Sequence, residues 1–340
     1  MNAYSVGEGT LIVNAGLLIR LKNEAELAFV LCHELAHYYL DHSAKSIQKM
    51  ISTANSETVR AELKKLSRQE YGAGADLDKL MKWMAFSSRR HSRENESEAD
   101  EMAIRFMKNT EFNGQGAITC LQMLDQSDDS TYYAPLNLKT IFNFPDYAFK
   151  NRWLQDETAI FSQLKGNTGE LTAQERDSLR THPDCPLRIA AMEPAVRAIT
   201  GRQDFPVDAA MFKQLQARFS IEIIEELYQE KRYALHLYLA LGLLQTGQHR
   251  TYAVYTIARV LNALYEAQLQ HQFGLYVEKE NRVYPQNYNQ LLRLLDRLRL
   301  NELAALNYFF CRQYKEEMAG YTAFASEWTK AQQQHEMYTH

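Results

Sequence analysis

The chain has little that would bind nucleic acid, cross a bilayer or depend on disulfides. Its 340 residues carry a net charge of only −4, so there is no basic excess to neutralise phosphates or an anionic membrane surface. No stretch approaches the roughly 18 apolar residues that a spanning helix needs. Cys32, Cys120, Cys185 and Cys311 are few and far apart, and the lack of a C-x-x-C pair argues against a second metal or redox site. Cys32 sits in an apolar segment and is expected to be a small buried side chain. No charged-then-apolar leader stands at the start. With 46% hydrophobic residues, the chain can bury a sizeable core and is expected to form two domains.

The most informative segment is His33-Glu34-Leu35-Ala36-His37. Residues four apart on an α-helix lie one above the other, so both imidazoles can face one ion. Glu34 sits about 100° round the helix, close enough to act on water at that ion without ligating it. This is the H-E-x-x-H pattern of zinc peptidases. Asn23 caps the expected helix and Glu26 falls at its third position, as in a capping box. Leu27, Leu31, Leu35 and Tyr38 recur at helical spacing, and Phe29, Val30 and Cys32 broaden the apolar surface. Charged and imidazole groups on so buried a helix need partners, and one metal ion satisfies all three.

Two histidines leave a zinc site in need of a third protein ligand and an open position. Glu94-Asn95-Glu96-Ser97-Glu98-Ala99-Asp100 supplies candidates, since Glu96 and Asp100 share a helical face while Glu98 points elsewhere. One carboxylate can bind the metal and the other can hold a ligand imidazole by its second nitrogen. Alone, such an acidic run is a solvated helix start. Beside H-E-x-x-H it is a ligand set.

Together these motifs resemble the HtpX-like and Ste-type metallopeptidases, peptidase family forty-eight. Asn2-Ala3-Tyr4 and Gly9 to Leu18 are similar to the family segment before the zinc helix. Leu40-Asp41-His42 is similar to its usual Gly-His or Arg-His ending, and Thr181-His182-Pro183 with Arg188 and Ile189 to its downstream H-P…R-I motif. The resemblance spans residues 2 to 189. It implies one Zn2+ per chain on His33, His37 and Glu96, with Glu34 as general base and Asp100 behind the ligands. It places His182 and Arg188 by the cleft, with His182 either stabilising the transition state or plugging the zinc in an inactive form. By its local sequence alone, His182 is a turn residue before Pro183. His42 and Arg93 are structural in the family sense, and His42 reads equally well as a surface histidine. Integral members place membrane spans around the zinc helix, whereas residues 42 to 96 here are thick with charged and polar side chains, as in a soluble member. Family domains usually begin earlier, so either this member is short or upstream residues, an export signal among them, have been removed. The compartment implied is the bacterial periplasm or cell envelope.

Thr10, Leu11, Ile12 and Val13 favour a strand between Gly9 and Gly16. As an edge strand, Leu11, Ile12 and Val13 would hold an extended peptide as an added strand. Glu98 to Asp125 reads as helix interrupted at Asn109 to Gly116. The aromatic-rich connection over 127 to 170, with Phe142, Phe144, Tyr147 and Phe149, suits a cleft wall or a packed loop, and Thr172 with Glu175 forms another capping box. Leu227 to Leu244 keeps helical spacing up to Gly247, and a second helix follows over 251–267. The expected fold is α+β and predominantly α-helical. A zincin-like peptidase domain with a small edge-strand sheet spans 1–203, and an all-helical domain spans 204–340. The latter is either a bundle or a degenerate tetratricopeptide-like array that could take a protein partner. The expected function is a zinc metalloendopeptidase acting on unfolded or misassembled proteins. The alternatives are a zinc-containing chaperone-like protein working through its helical domain and a non-peptidase zinc hydrolase.

Overall fold

A hairpin opens the fold. In the structure, a computed structural model that describes residues 2–66, 93–127, 135–155, 184–199 and 201–339, β1 (Ala3–Gly7) pairs antiparallel with β2 (Thr10–Val13). Glu8 and Gly9 turn the chain with φ of 50° and 76°, the left-handed backbone that a two-residue hairpin loop demands. The register pairs Ala3 with Val13, Tyr4 with Ile12 and Ser5 with Leu11, then slips between Ser5 and Gly7. Among the described residues the sheet has these two strands only. The remainder is helical, the predominantly α-helical α+β fold read from the sequence.

A short helix α1 (Ala15–Leu18) leads to α2 (Glu24–Tyr39), the helix of the H-E-x-x-H segment. Asn23 caps α2, its Oδ1 accepting from the Glu26 amide at 2.9 Å. The return bond of the expected capping box is displaced by one residue: Glu26 Oε2 accepts from the amide of Lys22 at 2.6 Å. The buried face of α2 also differs from the expected leucine stripe. Ala25, Ala28, Phe29, Val30, His33 and Ala36 are buried, whereas Leu35 and Tyr38 are exposed. Close helix packing explains this. Gly116, in the helix that packs on α2, has its Cα so near that an added Cβ would lie 2.6 Å from the Ala25 carbonyl carbon. Backbones at that range favour alanine at the contact over leucine.

α3 (His42–Ala54) and α4 (Glu57–Leu66) follow. Residues 93–107 form α5, and Gln115–Ser127 forms α6, with turns between them as the sequence suggested. Phe29, Val30, Ile104, Met107, Leu121, Met192 and Val196 share one core, the last two from a helix over Cys185–Arg197. Arg93 is anchored to Asp184, just before that helix, by an ion pair of 2.5 Å.

Packing divides the chain into two compact units, Met1–Gln126 with Arg180–Ser220, and Ser127–Leu179 with Ile221–His340. The break at 220/221 falls inside the helix Ala209–Gln229, not at the 203/204 boundary drawn from sequence. The second unit is helical, over Tyr233–Thr246, Arg250–Leu269, Gln286–Arg297, Leu300–Tyr314 and Thr322–Glu336. The helical periodicity read from Leu227 to Leu244 is broken at 230–232, where Lys231 takes a left-handed φ of 59°. Gly247, with φ of 75°, ends the next helix as expected. Phe142, Phe144 and Trp153 are buried in this unit's core, and Tyr147 and Phe149 pack against it. Of the two readings of that aromatic segment, its described part is packed core. No described helix is long and apolar enough to cross a membrane.

Candidate metal centre

α2 brings the two histidines together. His33 Nε2 and His37 Nε2 stand 3.0 Å apart. Glu96, on α5, places Oε2 3.4 Å from His33 Nε2 and Oε1 3.3 Å from His37 Nε2. Ligand atoms of these three residues all lie within 4.8 Å of one another. Some sixty residues separate Glu96 from the histidines, and only the packing of α5 beside α2 closes that gap.

The groups behind the ligands fix which nitrogen carries the proton. His33 Nδ1 lies 2.9 Å from Asp100 Oδ1, and an ionised carboxylate can only accept, so the proton belongs on Nδ1. His42 Nε2 lies 3.2 Å from Glu98 Oε2, which puts the His42 proton on Nε2 by the same logic. Burial lowers the pKa of His42 against the pull of Glu98 and keeps the ring neutral, so its Nδ1 is an acceptor. His37 Nδ1, 2.9 Å from His42 Nδ1, must then be the donor. Both ligand rings are thereby left with bare Nε2 lone pairs aimed at the Glu96 carboxylate. Three acceptors converging with no proton among them describe a cation site, and two imidazoles with a carboxylate suit zinc. Where no cation is bound, a proton substitutes. Burial opposes a charge on His33, but Asp100 and Glu96 overcome it and lift its pKa to about 9.

Arg188 ties the carboxylates together. Its Nε and Nη2 donate to Asp100 Oδ2 and Oδ1 at 2.6 and 2.8 Å, and Nη1 reaches Glu96 Oε2 at 3.0 Å. Arg188 and Asp100 are both buried. Burial pushes the Asp100 pKa up, yet the hydrogen bonds from Arg188 and His33 bring it below the usual range. Glu96 is likewise held ionised, burial being outweighed by His33, His37 and Arg188. Burial raises the pKa of Glu34, with the two histidines pulling the other way. A carboxyl raised in this way is better suited to taking a proton and giving it back than one in the usual carboxylate range.

His33, Glu34, His37, Glu96 and Arg188 line a cleft of about 590 Å³. Its strand wall is Ala3 to Val6 of β1 with Asn2 before it, and Leu11, Ile12 and Val13 of β2 are not part of it. The sequence favoured β2 because Thr-Leu-Ile-Val has the stronger strand propensity. β1 takes the inner place beside α2, with β2 behind it. His182 lies outside the described residues. One partner escaped the sequence reading: Glu98, expected to point elsewhere, holds His42. His42 is buried against His37, the structural one of its two readings. Cys32 is half-buried and Cys120, Cys185 and Cys311 are buried, with no disulfide among the described residues.

No curated protein and no solved structure gives a significant match to the chain. A family model described as Peptidase family M48 matches residues 1–196, more than half of the sequence, and covers every residue of the cluster. The chain belongs to this family of zinc metallopeptidases.

Proposed function

We propose that the protein is a zinc metalloendopeptidase, with one zinc held by His33, His37 and Glu96 and with Glu34 as the base. The observation that carries this reading is the convergence of His33 Nε2, His37 Nε2 and the Glu96 carboxylate at the wall of a cleft. Zinc bound there would supply Lewis acidity, lowering the pKa of water and polarising a carbonyl. Glu34 then accepts a proton from the attacking water as the oxygen bonds to the carbonyl carbon. It returns that proton to the amine nitrogen as the C–N bond breaks. Asp100 and His42 keep the ligand rings in the tautomers that bind metal, and Arg188 keeps Asp100 and Glu96 ionised. The outer edge of β1 carries no strand among the described residues, so an extended peptide can add there through its main chain. Recognition of that kind reads few side chains and suits unfolded or misassembled proteins as substrates.

The test is Glu34→Gln, assayed for zinc content and for cleavage of casein. Zinc should stay at one per chain while turnover falls by roughly 10²- to 10⁴-fold. Full activity in that variant would falsify the base assignment.

A further inference from the structure

The charged residues that line the cleft fall into two groups. Glu34, Glu96 and Arg188 belong to the metal centre, whereas Asp41 stands apart from it, one turn beyond His37 where α2 gives way to α3. Tyr38 and Ser43 line the cleft beside it, and neither carries a charge.

The fold makes no use of the Asp41 carboxylate. Asp41 occupies the N-cap of α3, where an aspartate ordinarily accepts from an amide of the first turn, yet its side chain makes no capping bond. Its backbone explains this: φ of 55° and ψ of 39° are left-handed, whereas a capping side chain needs the extended backbone. Among the described residues no ion pair or hydrogen bond engages the carboxylate, and Lys45, one turn on, is no exception. Glycine would adopt this left-handed turn at lower cost than a residue with a Cβ. The carboxylate is therefore neither a cap nor a salt-bridge partner, and it is an exposed group of the cleft.

Helical rise sets its distance from the chemistry. At about 1.5 Å per residue, Asp41 lies about 9 Å along the axis from the midpoint between His33 and His37. An extended peptide advances about 3.3 Å per residue, so a substrate crossing the metal ligands passes this carboxylate about three residues from the scissile bond. We infer that Asp41 is a specificity-determining residue. It favours Lys or Arg about two to three positions from the scissile bond, on the side towards the C-terminal end of α2, and disfavours Asp or Glu there. This deepens the peptidase reading and rests on it, naming segments with a basic residue at that offset as the substrate class. Because Asp41 is exposed, water and salt screen the pair, so the preference is a bias of a few-fold that weakens as ionic strength rises.

Two measurements separate this selection from the chemistry. The zinc-loaded wild-type protein is given a degenerate peptide library at low salt and the cut sites are sequenced. The zinc-loaded Glu34→Gln variant is titrated with fluorescent alanine-based octapeptides that differ only in a single Lys, Gln or Glu. Expected are enrichment of Lys and Arg on one side of the cut and binding of the Lys peptide roughly two- to fivefold tighter than the Gln peptide, with the Glu peptide weaker than Gln by a similar factor. Asp41→Asn, added to each protein, should flatten this order. Asp41→Lys should invert it, placing Glu above Gln and Gln above Lys, a reversal that loss of structure alone cannot produce. Cuts without basic enrichment, equal binding of the Lys and Glu peptides, or an order that survives in Asp41→Lys would overturn the assignment. Charge-selective binding with no cleavage by the wild-type protein would instead sink the peptidase reading and leave the role of Asp41 standing.

Discussion

Replacing Gly116 by alanine sets two effects of known size against each other. Within a helix, alanine is favoured over glycine by about 1 kcal/mol. Here the new Cβ would lie 2.6 Å from the carbonyl carbon of Ala25, 2.7 Å from its oxygen and 2.9 Å from the Glu26 nitrogen. All three are main-chain atoms of α2, which cannot rotate aside as a flexible side chain could. Ordinary carbon contacts begin near 3.5 Å, so α2 and α6 must part by roughly 1 Å. Overpacking of this kind costs about 1–3 kcal/mol, and here the contact is with rigid backbone, so the upper part of that range applies. Packing therefore wins, with a net loss of about 1–2 kcal/mol and a fall in Tm of several degrees. The displaced helix also carries His33, Glu34 and His37, and a misplacement of about 1 Å can cost roughly 100-fold in turnover. Thermal melts of the zinc-loaded protein, with casein cleavage alongside, measure both. A Gly116→Ala protein as stable as the parent, or more so, would refute the close-approach argument.

Other substitutions probe the supporting groups. Arg188→Met leaves Asp100 buried beside Glu96 without its cation and should destabilise by about 3–5 kcal/mol, read by urea unfolding. A loss below about 1 kcal/mol would mean the pair is not held as described. His42→Phe removes the acceptor from His37 Nδ1 and should weaken zinc affinity by roughly 10- to 100-fold, measured by chelator competition. Unchanged affinity would remove His42 from the centre. His236 is buried in the second unit, its Nδ1 2.8 Å from the Ile224 carbonyl, and burial lowers its pKa to about 4 despite that bond. The unfolded chain therefore binds the extra proton between pH 6.5 and 4, so stability falls as the pH drops through that window, by up to about 3 kcal/mol. His236→Gln should flatten this part of the stability profile relative to the parent, and an identical slope would contradict the assignment.

What could be read from the sequence was what local spacing encodes. His33 and His37 share a helical turn, Asn23 is a cap, Gly247 is a stop and Glu96 with Asp100 share a face, each a matter of a few residues. Pairing Glu96 with the histidines took a family motif, because no spacing rule links positions sixty apart. The His42–Glu98 pair stayed hidden for the same reason, its members being 56 positions apart. The buried face of α2 was misread because hydrophobicity ranks leucine above alanine, while the α2–α6 contact, set by Gly116, selects for smallness. The helix break at Lys231 carries no glycine or proline signal. Propensity marks Thr10–Val13 as a strand, and propensity does not say which strand of a hairpin faces the site.

Zinc content of the purified protein tests the central claim most directly. One zinc per chain is expected in the parent and in Glu34→Gln, falling to a small fraction in His37→Ala and Glu96→Ala after mild chelation. Zinc retained at full occupancy without His37 or Glu96, in a chain that still melts cooperatively, would place the metal elsewhere and contradict the account.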